Sequence, residues 1–270
     1  MDTNQAERRR WNNQDWVSVW HKREPLTDEI TPFLLDALAL RSGERVLDVG
    51  CGGGKATIAA ARAVSPSGIA IGADISVPLT DAATRRATNA QVDNVSFCVA
   101  DMQHERVAGG PFDVVMSQFG VMFFDEPLAA FANIRAHLDP GGRIAFACWQ
   151  TIDRNPWFIG PALAGIAPPP PPPAPGKSPT GPFALGDHVR TQNLLASAGF
   201  ANVRRRAHDL VADLPHDAVV DDAQLTFMGV PADKLAAARA TVNDHLARFR
   251  SGPGRAKFPL AFQVFQATAR

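Results

Sequence analysis

The 270-residue chain contains no tyrosine and only three cysteines, Cys51, Cys98 and Cys148. Their number is odd, and none stands in a CxxC or His-linked spacing, so neither a disulfide framework nor a metal site is expected. No apolar run approaches the ~20 residues that span a bilayer, and no charged, then apolar, then small leader opens the chain. The expectation is a cytoplasmic protein without a membrane span. Excess charge of either sign is also missing, since 27 Lys and Arg balance 27 Asp and Glu. That balance gives no field to gather the chain on nucleic acid, and the Arg8-Arg9-Arg10 and Arg204-Arg205-Arg206 runs read as solvated surface. A small-molecule partner fits better, and a homo-oligomer stays open.

What is present is an ordinary globular composition, 46% hydrophobic and 20% charged, enough to build a core. Between Arg45 and Trp149, short β-rich runs alternate with longer helix-compatible runs, the pattern of βαβ units around a parallel sheet. Strands are predicted at Arg45–Val49, Ile69–Ala73, Val95–Ala100, Asp113–Ser117 and Arg143–Cys148. Their near-continuous apolar character suits strands covered on both faces. Helices are predicted at Lys55–Val64, Pro78–Ala90 and Pro127–Leu138, with Asp139-Pro140-Gly141-Gly142 ending the third.

The six prolines Pro168–Pro173 form stiff polyproline II, read as a surface connection within an insertion rather than a docking peptide. Gly186–Ala198 reads as a helix stopped by Gly199. A strand at Asn202–Ala207, a mainly helical stretch from His208 to Gly254 and a strand at Pro259–Ala267 follow. The fold class is thus α/β: a doubly wound sheet of seven strands, mostly parallel with an antiparallel last strand, plus a partly helical cap. The division is an N-terminal helical lid at 1–40, a ligand-binding core at 41–152, a proline-rich insertion of the cap at 153–185, and the rest of the core at 186–270 with a helical insertion at 208–254.

The first strand runs into Gly50-Cys51-Gly52-Gly53-Gly54, and a helix follows at once. Glycines there allow positive φ and close approach of a ligand, while the helix start offers free amides. A nicotinamide-dinucleotide fingerprint beginning at Gly50 would need a small residue where Lys55 stands, so that oxidoreductase reading is the weaker alternative. Asp48 lies inside the first strand, where a dinucleotide has no use for a carboxylate; a ligand carrying an ammonium and a sulfonium does. Asp74 ends the second strand, placed to accept from two ribose hydroxyls. Asp101 follows the third, placed to accept from an adenine amine, with Met102 as a polarizable surface.

Taken together, Val46-Leu47-Asp48-Val49-Gly50-Cys51-Gly52-Gly53-Gly54, Ala73-Asp74-Ile75-Ser76, Ala100-Asp101, Phe112-Asp113-Val114-Val115 and Gly120-Val121-Met122-Phe123-Phe124 resemble class I, Rossmann-like S-adenosylmethionine-dependent methyltransferases. The resemblance is to their type 11, ubiquinone- and menaquinone-biosynthesis-like group, and covers about Trp11 to Phe200. It implies S-adenosyl-L-methionine as cofactor, with Gly50, Gly52 and Gly54 around its methionine portion, Asp74 on the ribose, Ile75 and Met102 against adenine and Asp101 on the amine. It also implies Ser117 backbone near the amino group, and an N-terminal lid in which Trp16 forms a wall and His21 is the candidate base. A purely structural role for Asp48 and Ser117 stands beside the cofactor role.

Phe119, Met122, Phe123, Trp149 and Trp157, at or after the ends of the fourth and fifth strands, suggest a flat, largely apolar methyl acceptor, with core packing as the competing explanation. No Asp/Asn-Pro-Pro-Tyr/Phe motif of nucleic-acid amino methylation occurs. The reading is an enzyme methylating a small aromatic or lipophilic metabolite, on oxygen in preference to nitrogen or carbon. A protein that binds the cofactor without turning it over is the other alternative.

Overall fold

The alternation of apolar strands and capped helices folds as a single sheet in the computed structural model, which describes residues 4–13, 19–20, 22, 24–169, 172–215 and 221–270. Its strands are β1 (Arg45–Val49), β2 (Ile69–Asp74), β3 (Val95–Val99), β4 (Phe112–Gln118), β5 (Leu138–Trp149), β6 (Phe200–Pro215), β7 (Arg250–Gly252) and β8 (Arg255–Ala269). The order across the sheet is β3-β2-β1-β4-β5-β8-β6, with β7 paired to β8. β1 to β5 are parallel, while β8 runs antiparallel to both β5 and β6. The sheet therefore has eight strands where seven are predicted, the short β7 being the addition.

The described helices are α1 (Gln5–Trp11), α2 (Pro25–Asp28), α3 (Thr31–Leu38), α4 (Lys55–Val64), α5 (Val77–Asn89), α6 (Pro127–Arg135), α7 (His188–Ser197), α8 (Asp222–Phe227) and α9 (Leu235–Leu246). Their starts follow local chemistry. The Ser76 hydroxyl accepts the Leu79 amide with Pro78 in the first turn of α5, and the Asp187 carboxylate accepts the Val189 and Arg190 amides at the start of α7. Val46, Leu47 and Val49 of β1 and Val114, Val115 and Met116 of β4 are all buried, as central parallel strands covered on both faces should be. Strand order reverses between β1 and β4, so a crevice opens at the carboxyl ends of those strands.

Two elements differ from the sequence expectation. His208–Pro215, expected to be helical, continues β6, which pairs with β8 as far as Pro215 opposite Arg255. Burial alternates along its end, with Ala212 and Leu214 inside and Val211 and Asp213 outside, a period of two that favours a strand. The helices of this region lie within 222–249 instead. Asp139-Pro140-Gly141-Gly142 belongs to β5 rather than ending a helix: α6 stops at Arg135, and the strand enters through a register shift opposite Phe112 to Val114. Gly141, at φ +80°, absorbs that irregularity.

β5 stops at Trp149, opposite Phe262, whereas β6 and β8 continue together from Ala261 to Arg255. This two-stranded ribbon extends beyond the carboxyl end of β5.

Candidate functional site

Beyond β1 the loop takes positive φ at Gly50 (+69°), Gly52 (+52°) and Gly54 (+79°). A Cβ on Gly54 would lie 2.7 Å from Ala83 Cβ and 2.8 Å from the Phe97 ring, so this glycine serves the packing of α4 against α5 and β3. A Cβ on Gly52 would lie 2.7 Å from Cζ2 of Trp20. The Gly52 amide donates to Asp74 Oδ2 at 2.8 Å and the Ser76 amide to Asp74 Oδ1 at 2.9 Å, so one carboxylate ties the glycine loop to the start of α5. Burial pushes the Asp74 carboxyl up, opposed by these backbone donors.

Asp48 is buried beside it. Its Oδ2 accepts the Thr57 hydroxyl at 2.6 Å, while its Oδ1 is buried without a hydrogen-bond partner. Burial raises its pKa to about 7, with the Thr57 hydroxyl opposing and the Asp74 charge adding to the rise. The indole N–H of Trp20 is a second buried polar group without a partner. Both residues line a cleft of about 260 Å³ at the strand ends. Buried polar atoms are rarely left unsatisfied. Here the cleft presents an acceptor that calls for a cationic donor and a donor that calls for an acceptor, which fits the ammonium and carboxylate of an amino acid.

The N-terminal segment closes over this floor through specific bonds. Arg86 donates to both Glu24 oxygens, at 2.6 and 2.7 Å, and to the Gly53 carbonyl at 2.5 Å. Asn12 accepts the Val77 amide and donates to the Ile75 carbonyl, and the Ser76 hydroxyl donates to the Trp11 carbonyl at 2.6 Å. The Gln118 side chain, at the end of β4, accepts from the Thr31 hydroxyl and donates to the Thr27 carbonyl. At the end of β3, buried Asp101 accepts the Gln103 amide, with buried Met102 beside it.

On the other side the cleft is aromatic. Phe119, at φ +63°, stacks on Trp149 with centroids 4.4 Å apart; Trp149 meets Trp157 edge-on at 5.1 Å. Positive φ in a bulky residue costs free energy, and here it turns the ring onto the cleft wall. Trp157 donates its indole N–H to Asn155 Oδ1 at 3.0 Å, and Asn155 also bonds both backbone groups of Ala261 on the ribbon.

The chain matches a family model described as a methyltransferase domain over residues 46–142. It is 31% identical to nocamycin O-methyltransferase of Saccharothrix syringae over 250 residues, 85% of this chain and 87% of that protein. The chain belongs to the class I S-adenosylmethionine-dependent methyltransferases. Aklanonic acid methyltransferase DauC of Streptomyces sp. (strain C5) is 34% identical over 185 residues, 67% of this chain and 77% of that one. Among solved structures, the YcgJ protein of Bacillus subtilis shares the fold at a TM-score of 0.61 and 17% identity, covering 90% of this chain and 98% of that one. The cofactor of this methyltransferase is S-adenosyl-L-methionine, which sets aside the nicotinamide alternative.

Of the residues singled out in the sequence, Asp48, Gly50, Gly52, Asp74, Ile75, Asp101, Met102, Phe119, Met122, Phe123, Trp149 and Trp157 all line this methyltransferase cleft. Gly54 does not, being spent on packing. Neither does Ser117, whose buried hydroxyl accepts the Gly120 amide at 3.2 Å within the turn after β4. Trp16 and His21 lie outside the described residues, and none of the described histidines lines the cleft. Sequence reasoning did not single out Glu7, Arg10, Trp11, Trp20, Gln224, Phe227 or Met228 for the site; all seven line the cleft. The spacing of Arg10 and Trp11 next to the glutamate at position 7, on one short helix, was the available signal. The Arg8-Arg9-Arg10 run is thus not uniformly solvated surface. Among the described residues no cluster of His, Cys, Asp and Glu has the arrangement to hold a metal, and no helix is long and apolar enough to cross a membrane.

Proposed function

We propose that this methyltransferase methylates oxygen on a small, flat, largely apolar metabolite. The observation that carries the reading is the ring wall of Phe119, Trp149 and Trp157 in the same cleft as the glycine loop. Nocamycin O-methyltransferase and aklanonic acid methyltransferase, by their names, support it. In this reading Asp48 Oδ1 takes the ammonium of the cofactor, the Trp20 N–H its carboxylate, Asp74 the ribose, and Asp101 the adenine amine between Ile75 and Met102. When bound there, the cofactor would supply an activated methyl group to the acceptor oxygen, with S-adenosylhomocysteine as the leaving group. The chain's own residues align the acceptor and keep water out, the contributions that dominate when the leaving group comes ready-made. The lid at 1–40, the insertion at 153–185 and the helices within 208–254 form the cap that does this.

The test is turnover against a panel of aromatic hydroxy, carboxy and amino compounds, read by S-adenosylhomocysteine release and product mass. Methylation of oxygen acceptors is expected, with Trp149→Ala raising the KM for the acceptor about tenfold and leaving that for S-adenosylmethionine unchanged. Methylation confined to the amines would reject the oxygen assignment. An unchanged acceptor KM in Trp149→Ala would reject the ring wall as its site.

A further inference from the structure

Arg10 lies away from the strand-end acids of the cleft, on α1. The acids Asp48, Asp74 and Asp101 all sit at the ends of β1 to β3, and Lys55, the other described cation lining the cleft, pairs with Asp28 at 2.5 Å. Arg10 projects from α1 among rings, its guanidinium carbon 4.8 Å from the centroid of Phe227, 5.5 Å from that of Trp11 and 5.9 Å from that of Phe123. Among the described residues its ion-pair partner is Glu7, at 3.8 Å, too long for a hydrogen bond. The two Glu7 oxygens already accept from the Trp11 indole at 2.8 Å and the Thr180 hydroxyl at 2.9 Å. Burial pulls the Arg10 pKa down, with the Glu7 charge opposing.

A guanidinium carries five N–H donors in a planar fork, and among the described residues none of those of Arg10 has a hydrogen-bonded acceptor. Contact with three rings orients that fork, whose side chain stays 38% exposed. The cationic end of the cofactor belongs with the three acids, and Arg10, faced by Glu7 only at 3.8 Å, is the cation of the ring-lined remainder of the cleft.

We infer that Arg10 recognises the methyl acceptor, which carries an anionic oxygen, carboxylate or ionised acidic hydroxyl, on a flat ring system held between the surrounding aromatic side chains. The inference rests on the reading of the cleft as the joint site of cofactor and acceptor. It adds a substrate class, planar organic acids, and a residue that selects it.

The experiment is calorimetric titration of the full chain, with and without S-adenosylhomocysteine, using anthraquinone-2-carboxylate, its carboxamide, and 2-hydroxyanthraquinone below and above its own ionisation. The wild type is expected to bind at least one ionised probe about tenfold or more tightly than its neutral counterpart, as a charge-assisted contact to Arg requires. The two pairs separate carboxylate from ionised hydroxyl as the preferred group. Arg10→Gln abolishes the preference, Arg10→Lys keeps part of it, and S-adenosylhomocysteine affinity stays within about twofold in both. Equal binding of charged and neutral probes, binding of none of them, or a preference that survives Arg10→Gln overturns the inference. Loss of S-adenosylhomocysteine binding by the wild type would instead count against the assigned cofactor contacts, and the titrations without it would still read the charge preference.

Discussion

At the scale of single residues, the buried Asp48 makes the cleft sensitive to pH. Its pKa of about 7 stands well above the ordinary carboxylate range, so the ligand-free protein holds a proton there that a cation beside Oδ1 would expel. S-adenosylhomocysteine affinity should therefore be flat above about pH 8 and fall as pH drops through 7, approaching tenfold per unit below it. Asp48→Asn should flatten that profile and bind more weakly at pH 8; an equally steep profile in the variant would assign the titration elsewhere. Stability has the opposite sign. Between the ordinary carboxylate range and about 7 the native state holds more protons than the unfolded chain, so ligand-free stability falls as pH rises through that window. Asp48→Asn should accordingly melt above the wild type at pH 8, in calorimetric scans, and gain less at pH 5.

At the scale of elements, α1 is held at the end of β2 by few bonds, and Asn12 makes two of them, to Ile75 and Val77. Asn12→Ala should cost about 1–2 kcal/mol locally. The expected result is faster amide exchange over residues 5–13 and at Val77, with weaker S-adenosylhomocysteine binding and a melting temperature lowered by only a few degrees. Unaltered exchange in that segment would show that α1 is anchored by other contacts. These contacts are also where the sequence was least legible. β1 to β5 and the acids at the ends of β1 to β3 could be read because period, glycine loop and strand-end carboxylates are local signals. The bonds from Asn12 to Ile75 and Val77, or from Thr180 to Glu7, join residues 63, 65 and 173 positions apart, and no local pattern records them. His208–Pro215 was misread because its inward positions are only Leu210, Ala212 and Leu214, and the partner that makes them a strand, β8, comes some 45 residues later. Glycine roles were blurred for a related reason: Gly52 and Gly54 look alike in sequence, yet one faces Trp20 and the cleft while the other packs against Ala83 and Phe97.

For the molecule as a whole, the floor of the cleft comes from β1 to β4 and its cover from distant parts of the chain, α1, the insertion after β5 and α8. Ligand binding should therefore stabilise the entire fold. S-adenosylhomocysteine at about 100 times its Kd adds about 2.7 kcal/mol, which for a chain of this size corresponds to roughly 5–10 °C in melting temperature. NADH at the same concentration should leave the transition where it is. A shift with NADH and none with S-adenosylhomocysteine would contradict the cofactor assignment.

The position of β8 in the sheet has a further consequence, for synthesis. β8 is synthesised after β1 to β7, yet it lies in the interior of the sheet, between β5 and β6. Until residues 255–269 emerge, the apolar edge of β5 has no neighbour on that side and β6 has none at all. A nascent chain can thus assemble the cofactor floor early, but it carries an open, aggregation-prone sheet edge through the translation of the insertion after β5 and of α7 to α9. Completion of the sheet then waits on the arrival of a single strand.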